Sequence, residues 1–399
     1  MRAIVKYLMF ICLFVLLITF FLVICGSHQM DKTSYQVHLS EDKPNPECIR
    51  KSADMTSKKA TQLKDTLNKM TVDEKIGQLF LARVPEKNAL VDIKTYHLGG
   101  YLLFGRDVAG ETTDSLKKKI VSYQSASRIP LLIGSDEEGG TVSRLSQNSQ
   151  IIQTPFKSPQ DLYKSGGWEA IKQDTAVKST IFKELGIHTG LFPVADVSTN
   201  SNSFIYDRTI GQDVVSTKKF VTVIVSELKD QQIGSTLKHF PGYGNSSDSH
   251  TAVIHDSRTL KELQTDALPP FQAGIDAGAD SVLVAHNIFD NIDAHLPASL
   301  SKPIHQLLRD DLNFNGVIMT DDMDMAGITD FTSQSDAALK ALEAGNDLIL
   351  SSSYAEQIPT IKKALNSTES TLTEKQLDES VLRILAWKQS LGLIQQNTP

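Results

Sequence analysis

Two short stretches of this 399-residue chain concentrate groups that can move protons or attack carbon. The first is Lys238-His239-Phe240-Pro241-Gly242-Tyr243-Gly244, which leads through Asn245-Ser246-Ser247 into Asp248-Ser249-His250. In an extended segment, residues i and i+2 point the same way. The Asp248 carboxylate can then fix the His250 tautomer and raise the proton affinity of the imidazole. The second stretch is Asp321-Asp322-Met323-Asp324, directly after the apolar run Gly316 to Thr320. A carboxylate with a separate proton donor fits glycoside hydrolysis. The carboxylate attacks or stabilises the sugar cation, and the other group protonates the leaving oxygen. Asp321 is placed for the first role. Asp321 can instead cap the following helix, Asp322 and Asp324 can cap it as easily, and the roles within the cluster can be exchanged. Asp248-Ser249-His250 can equally be a polar surface loop.

Other chemistries lack their residues. There is no Walker-type glycine loop and no G-x-S-x-G elbow. None of the ten histidines forms an H-x-H pair, and neither H-E-x-x-H nor C-x-x-C occurs. No metal and no other cofactor is expected. The formal net charge is −7 and no long basic run appears, so nucleic acid is not an expected partner.

The elements that must position these groups follow an alternating pattern. Apolar, strand-like runs occur at Gly77–Ala82, Gly100–Phe104, Pro130–Gly134, Gly190–Val194, Gly234–Leu237, Ser281–Ala285, Gly316–Thr320 and Asp347–Leu350. A helix capped by Thr71, with Glu74 three residues on, precedes the first. Amphipathic segments such as Leu260–Ala277 lie between the runs. Short strands buried on both faces and separated by helices indicate βα units around a parallel sheet. Eight units predict an α/β fold, a single (β/α)8 TIM-type barrel, with a doubly wound open sheet as the alternative. In a barrel the chemistry sits where strands end. The runs here lead into Asp136-Glu137-Glu138-Gly139-Gly140, Asp196, Lys238-His239, His286-Asn287, Asp321-Asp322 and Ser351-Ser352-Ser353.

Residues 1–26 form a separate object, an N-terminal transmembrane or signal segment. Arg2 and Lys6 precede Tyr7 to Cys25, which carries no charge. As a helix this run reaches roughly 30 Å, enough to cross a bilayer. The flanking basic residues predict a cytoplasmic N-terminus and a body on the extracytoplasmic face of the cell membrane. A cleaved signal or lipidation of Cys25 is the competing reading. Residues 27–60 read as a polar tether and 61–399 as the barrel. Cys48 alone lies outside the apolar run, so no internal disulfide is expected there.

Several ordered motifs resemble glycoside hydrolase family 3, in particular its bacterial β-N-acetylglucosaminidases of the cell-wall recycling type. Thr71 to Leu79 resembles the opening helix and first strand. Asp136 to Arg144 resembles D-x-E-G-G-x-V-x-R, and Asp207-Arg208-Thr209-Ile210-Gly211 the short arginine loop. Lys238 to His250 resembles the K-H-F-P-G-x-G…D-S-H signature, and Leu296–Ser301 with Gly316–Asp321 the approach to the nucleophile. The resemblance spans roughly Met70 to Leu393. It implies Asp321 as the nucleophile of a retaining enzyme, His250 as general acid/base and Asp248 as its orienting partner. It implies that Asp136, Arg144, Arg208, Lys238 and His239 hold the hydroxyls and N-acetyl group of a terminal β-linked N-acetylglucosamine. The implied partner is a glycan, such as a peptidoglycan fragment. The chain departs from the pattern in two places. Tyr243 stands where the common form has His, and the Lys238–His250 spacer is one residue shorter. The second α/β domain of larger relatives has no counterpart here. An imidazole acid/base also suits phosphorolysis, because it does not repel phosphate as a carboxylate would. A β-glucosidase of the same family and an inactive, wall-binding barrel are the further alternatives.

Overall fold

The computed structural model describes residue 58 and residues 60–244 and 253–394. The expected membrane segment at residues 7–25, nearly all of the tether, and Asp248 and His250 lie outside the described residues. No helix among the described residues is long and apolar enough to cross a membrane.

Eight parallel strands close on themselves. They are β1 Phe80–Arg83, β2 Gly100–Leu103, β3 Leu132–Ser135, β4 Thr189–Gly190, β5 Thr236–Phe240, β6 Ser281–Val284, β7 Val317–Thr320 and β8 Ile349–Ser351. Continuous ladders join β8-β1-β2-β3-β4 and β5-β6-β7. Single parallel bridges complete the ring. Thr189 to Gly234 and Val194 to Lys238 join β4 to β5, and Met319 to Leu348 joins β7 to β8. The ring is the barrel expected from eight βα units, not the open sheet. Its strands are buried on both faces because side chains fill the inside and helices cover the outside. One continuous apolar core runs through both layers. A small satellite of Val194, Ile205, Tyr243 and Ala285, with Phe204 against it, sits near the ends of β4–β6.

The boundaries shift in ways that matter for the site. The opening helix is Val72–Gln78, with the expected capping box: Glu74 N–H donates to Thr71 Oγ1 at 3.2 Å and Thr71 N–H to Glu74 Oε2 at 2.8 Å. Gly77 and Gln78, expected in the first strand, belong to this helix. Gly77 lets the chain pass so close that a Cβ there would lie 2.1 Å from the Tyr96 carbonyl oxygen. Strand β1 therefore begins at Phe80 and ends at Arg83. The β4 ladder is brief because Pro193 has no N–H to donate. Leu260–Ala277 is two helices, Leu260–Asp266 and Leu268–Ala277. Pro269 and Pro270 fit only the first turn of a new helix.

Strand β5 extends past its expected end to include Lys238 and His239. Its register against β6 shifts between Leu237 and Phe240. Leu237 pairs with Val282 and Phe240 with Val284, so two residues of β5 stand opposite one of β6. Such a bulge re-aims side chains at a barrel rim. Here Lys238 and His239, though consecutive, both reach the mouth of the barrel.

Candidate active site

A cavity of about 230 Å³ opens at the C-terminal ends of the strands. A cleft of about 480 Å³ beside Trp387, at the opposite end of the barrel, is larger, so volume alone does not locate the chemistry. The charged groups do. Asp136, Arg144, Arg208, Lys238, His239, Asp321 and Asp322 all line the smaller cavity, with Arg83 and Phe104 beside them.

One wall is an ion-pair lattice. Asp136 follows β3, and the hairpin Glu137–Gly139/Val142–Ser143 folds Arg144 back onto it. Asp136 Oδ2 accepts from Arg144 Nη2 at 2.8 Å, and its Oδ1 accepts from Lys238 Nζ at 2.7 Å. Lys238 Nζ also lies 2.6 Å from Glu138 Oε1. Arg208 grips Glu138 in a fork, Nε at 2.9 Å and Nη2 at 2.7 Å. Burial opposes ionisation of both carboxyls. Lys238 and Arg144 outweigh it at Asp136 and hold that group well below the usual carboxylate range. Arg208 and Lys238 do the same at Glu138, down to about 2. Both are charged at neutral pH. Glu137 supports the turn from below, accepting the Arg144 and Leu145 N–H groups at 2.9 and 2.6 Å.

His239 is built in rather than presented. Its Nδ1 donates to Asp196 Oδ2 at 2.8 Å, and its Nε2 accepts from Arg208 Nη2 at 3.0 Å. These partners require the neutral ring with the proton on Nδ1. Burial and the Arg208 charge push its pKa down in the same sense. Asp196 also accepts the Tyr243 N–H at 2.6 Å, which fixes the start of the glycine loop.

The facing wall carries Asp321, one residue beyond β7. The three aspartates of the acidic cluster are sorted by their partners. Asp321 Oδ1 accepts the Asp322 N–H at 2.8 Å. Asp322 is ion-paired with Arg83, and Asp324 turns away to accept from Ser352 N–H at 2.9 Å and Ser353 Oγ at 3.1 Å. Asp324 does not line the cavity. Phe104 packs beneath two cations, with Arg83 and Arg144 guanidinium carbons 4.5 and 5.1 Å from its centroid. Not every polar strand end serves the cavity. His286 donates from Nε2 to the Asp322 carbonyl at 3.0 Å and accepts from Ser299 at 2.7 Å.

Residues 71–387 match the glycosyl hydrolase family 3 N terminal domain. The chain belongs to glycosyl hydrolase family 3. Among similar proteins of the family is a beta-hexosaminidase of Xanthomonas campestris pv. campestris. It is 32% identical over 257 residues, which are 63% of this chain and 76% of that one. Beta-hexosaminidase LpqI of Mycobacterium tuberculosis is 30% identical over 79% of this chain and 82% of its own. Among solved structures, the family 3 beta-N-acetylglucosaminidase from Paenibacillus sp. superposes with a TM-score of 0.76 at 29% identity. That match covers 82% of this chain and 65% of the Paenibacillus protein.

The structure thus brings Asp136, Arg144, Arg208, Lys238, His239 and Asp321 to one cavity, while Asp248 and His250 fall outside the described residues. Sequence reasoning gave no role to Glu138, Asp196 or Arg83. A signal for Glu138 was present: the i, i+2 rule that joins Asp248 to His250 also joins Asp136 to Glu138. Arg83 gives none, because the first apolar run ends at Ala82.

Proposed function

We propose that this protein is a retaining β-N-acetylhexosaminidase that releases terminal β-linked N-acetylglucosamine. The observation that carries the reading is Asp321 at the end of β7, facing a cavity on the scale of one sugar unit whose opposite wall is a fixed lattice of hydrogen-bond donors. In this reading Asp321 attacks the anomeric carbon and forms a glycosyl-enzyme. His250, oriented by Asp248, protonates the leaving oxygen and then activates water. Asp136, Arg144 and Lys238 hold the sugar, and His239 braces Arg208 for the same task. Arg144 Nε supports this, since it is buried without a partner among the described residues and a sugar oxygen would satisfy it. The relatives named beta-hexosaminidase support the substrate class. Peptidoglycan fragments suit an extracytoplasmic body tethered through residues 7–25, which is part of the proposal. Fractionation that finds the chain cleaved and free in the medium would remove the anchor.

The test is turnover of an aryl β-N-acetylglucosaminide with and without phosphate. Free N-acetylglucosamine is expected in both, with loss of turnover in Asp321→Asn. A sugar 1-phosphate as main product would mean a phosphorylase. Turnover of the β-glucoside alone would mean a glucosidase, and no turnover of either a binding barrel.

A further inference from the structure

Asp321 is held by a residue that is itself held on every side. The Asp322 N–H reaches Asp321 Oδ1 at 2.8 Å. The Asp322 carbonyl accepts from His286, and its Oδ1 accepts the Asp324 N–H at 3.0 Å. Its Oδ2 takes Arg83, through Nε at 2.5 Å and through Nη2. Arg83 ends β1, two strands round the barrel from β7, and lies on the Phe104 ring. It therefore ties the acidic turn to a rigid part of the ring.

The charges around this turn are accounted for. Across the cavity, Lys238, Arg144 and Arg208 are paired with Asp136 and Glu138, and His239 is neutral. Asp324 is bonded to Ser352 and Ser353. Among the described residues, Arg83 is the cation bonded to the aspartate next to Asp321. Two carboxylates on consecutive residues disfavour each other's ionisation, and a cation on one of them offsets this. Burial pushes the Asp322 carboxyl up to about 6 even against the pull of Arg83.

We infer that Arg83 is a positioning residue for Asp321, holding Asp322 in place and setting the charge beside the attacking carboxylate. The inference rests on the reading of Asp321 as nucleophile. Replacing Arg83 by Met keeps an apolar stem on Phe104 and removes the cation. Asp321 then binds its proton more tightly. While Asp322 stays ionised it repels Asp321 without a counter-charge; where it takes a proton, the lost repulsion offsets the lost Arg83 charge and the rise is smaller. Wherever Asp322 is ionised, Asp322→Asn works in the opposite sense, because it leaves Arg83 and removes the repulsion.

The experiment follows the Asp321 carboxyl directly, by ¹³C NMR titration of the full chain labelled at aspartate. The signals are assigned with Asp321→Asn and Asp322→Asn. The pH profile of kcat/KM on an aryl β-N-acetylglucosaminide is taken in parallel. In Arg83→Met, the Asp321 midpoint and the acid limb should both rise by about one unit, a tenfold change in proton affinity. Both should fall in Asp322→Asn, and Arg83→Lys should restore most of the difference. If Arg83→Met does not fold, the other two variants still decide the sign. An Asp321 midpoint that stays fixed, with rates lowered evenly at all pH, would reduce Arg83 to packing and overturn the inference. A midpoint that moves as expected while the acid limb does not follow would uphold the charge argument and sink the nucleophile reading instead.

Discussion

The residue that most shapes the sugar-facing wall is Glu138, which is buried and bonded to both Arg208 and Lys238. Replacing it by Gln removes the counter-charge that sets both cations. Misplacing such groups by about 1 Å costs on the order of a hundredfold in rate. We expect kcat/KM of Glu138→Gln to fall by about that factor. The effect on stability carries a sign. The carboxyl titrates at about 2 in the fold against an ordinary 4.5. Its stabilisation is complete above pH 4.5 and is lost as pH falls from there towards 2. Melting curves should show wild type above the variant at pH 7, with the gap closing below pH 4.5. A gap that stays constant down to pH 3 would mean that Glu138 acts by shape rather than charge. At this scale the sequence reading named the groups carried by the ordered motifs, Asp136, Arg144, Arg208, Lys238, His239 and Asp321. It passed over the groups that hold them, since a buried carboxylate such as Asp196 declares its partner only in three dimensions.

At the scale of elements, the strands were legible and their ends were not. Apolar runs, most of them bounded by glycine, marked all eight strands, because strands buried on both faces leave no polar alternation to confuse them with loops. The ends depend on contacts between elements. Gly77 lies in a helix because the chain at Tyr96 and His97 passes against it, and that single shift turns Arg83 into a strand end facing the cavity. The bulge at Lys238 and His239 is likewise a property of the β5–β6 pair. No periodicity within β5 could announce it. The hairpin after β3 was also missed, for its strands are only three and two residues long. Yet that hairpin is what brings Arg144 onto Asp136.

At the scale of the whole molecule, the two ends of the barrel sequence meet where helix Glu374–Ser390 packs on helix Val72–Gln78. Lys75 Nζ reaches Asp378 at 2.6 Å, and the buried Lys388 Nζ reaches Gln78 Oε1 at 2.6 Å. Burial pushes Lys388 down from 10.5 to about 7. The unfolded chain holds that proton up to about 10.5, so this residue makes stability rise with pH between about 7 and 10.5. Lys388→Met should therefore gain most on wild type at pH 7 and below, and the gain should shrink as pH rises towards 10. A difference in Tm that does not vary across that range would show that Lys388 is not the buried cation described here. The family was readable from the ordered motifs and the barrel from the eight βα units, whereas this contact was not, since Gln78 and Lys388 are far apart in the chain. The central claim is that Asp321 is the attacking carboxylate of a double displacement. The most direct measurement is peptide mapping after reaction with a slow, fluorinated N-acetylglucosaminyl donor that traps the glycosyl-enzyme. The expected result is a base-labile sugar ester on Asp321 and a product that retains its anomeric configuration. An adduct on Asp322 or Asp324, or an inverted product, would contradict it.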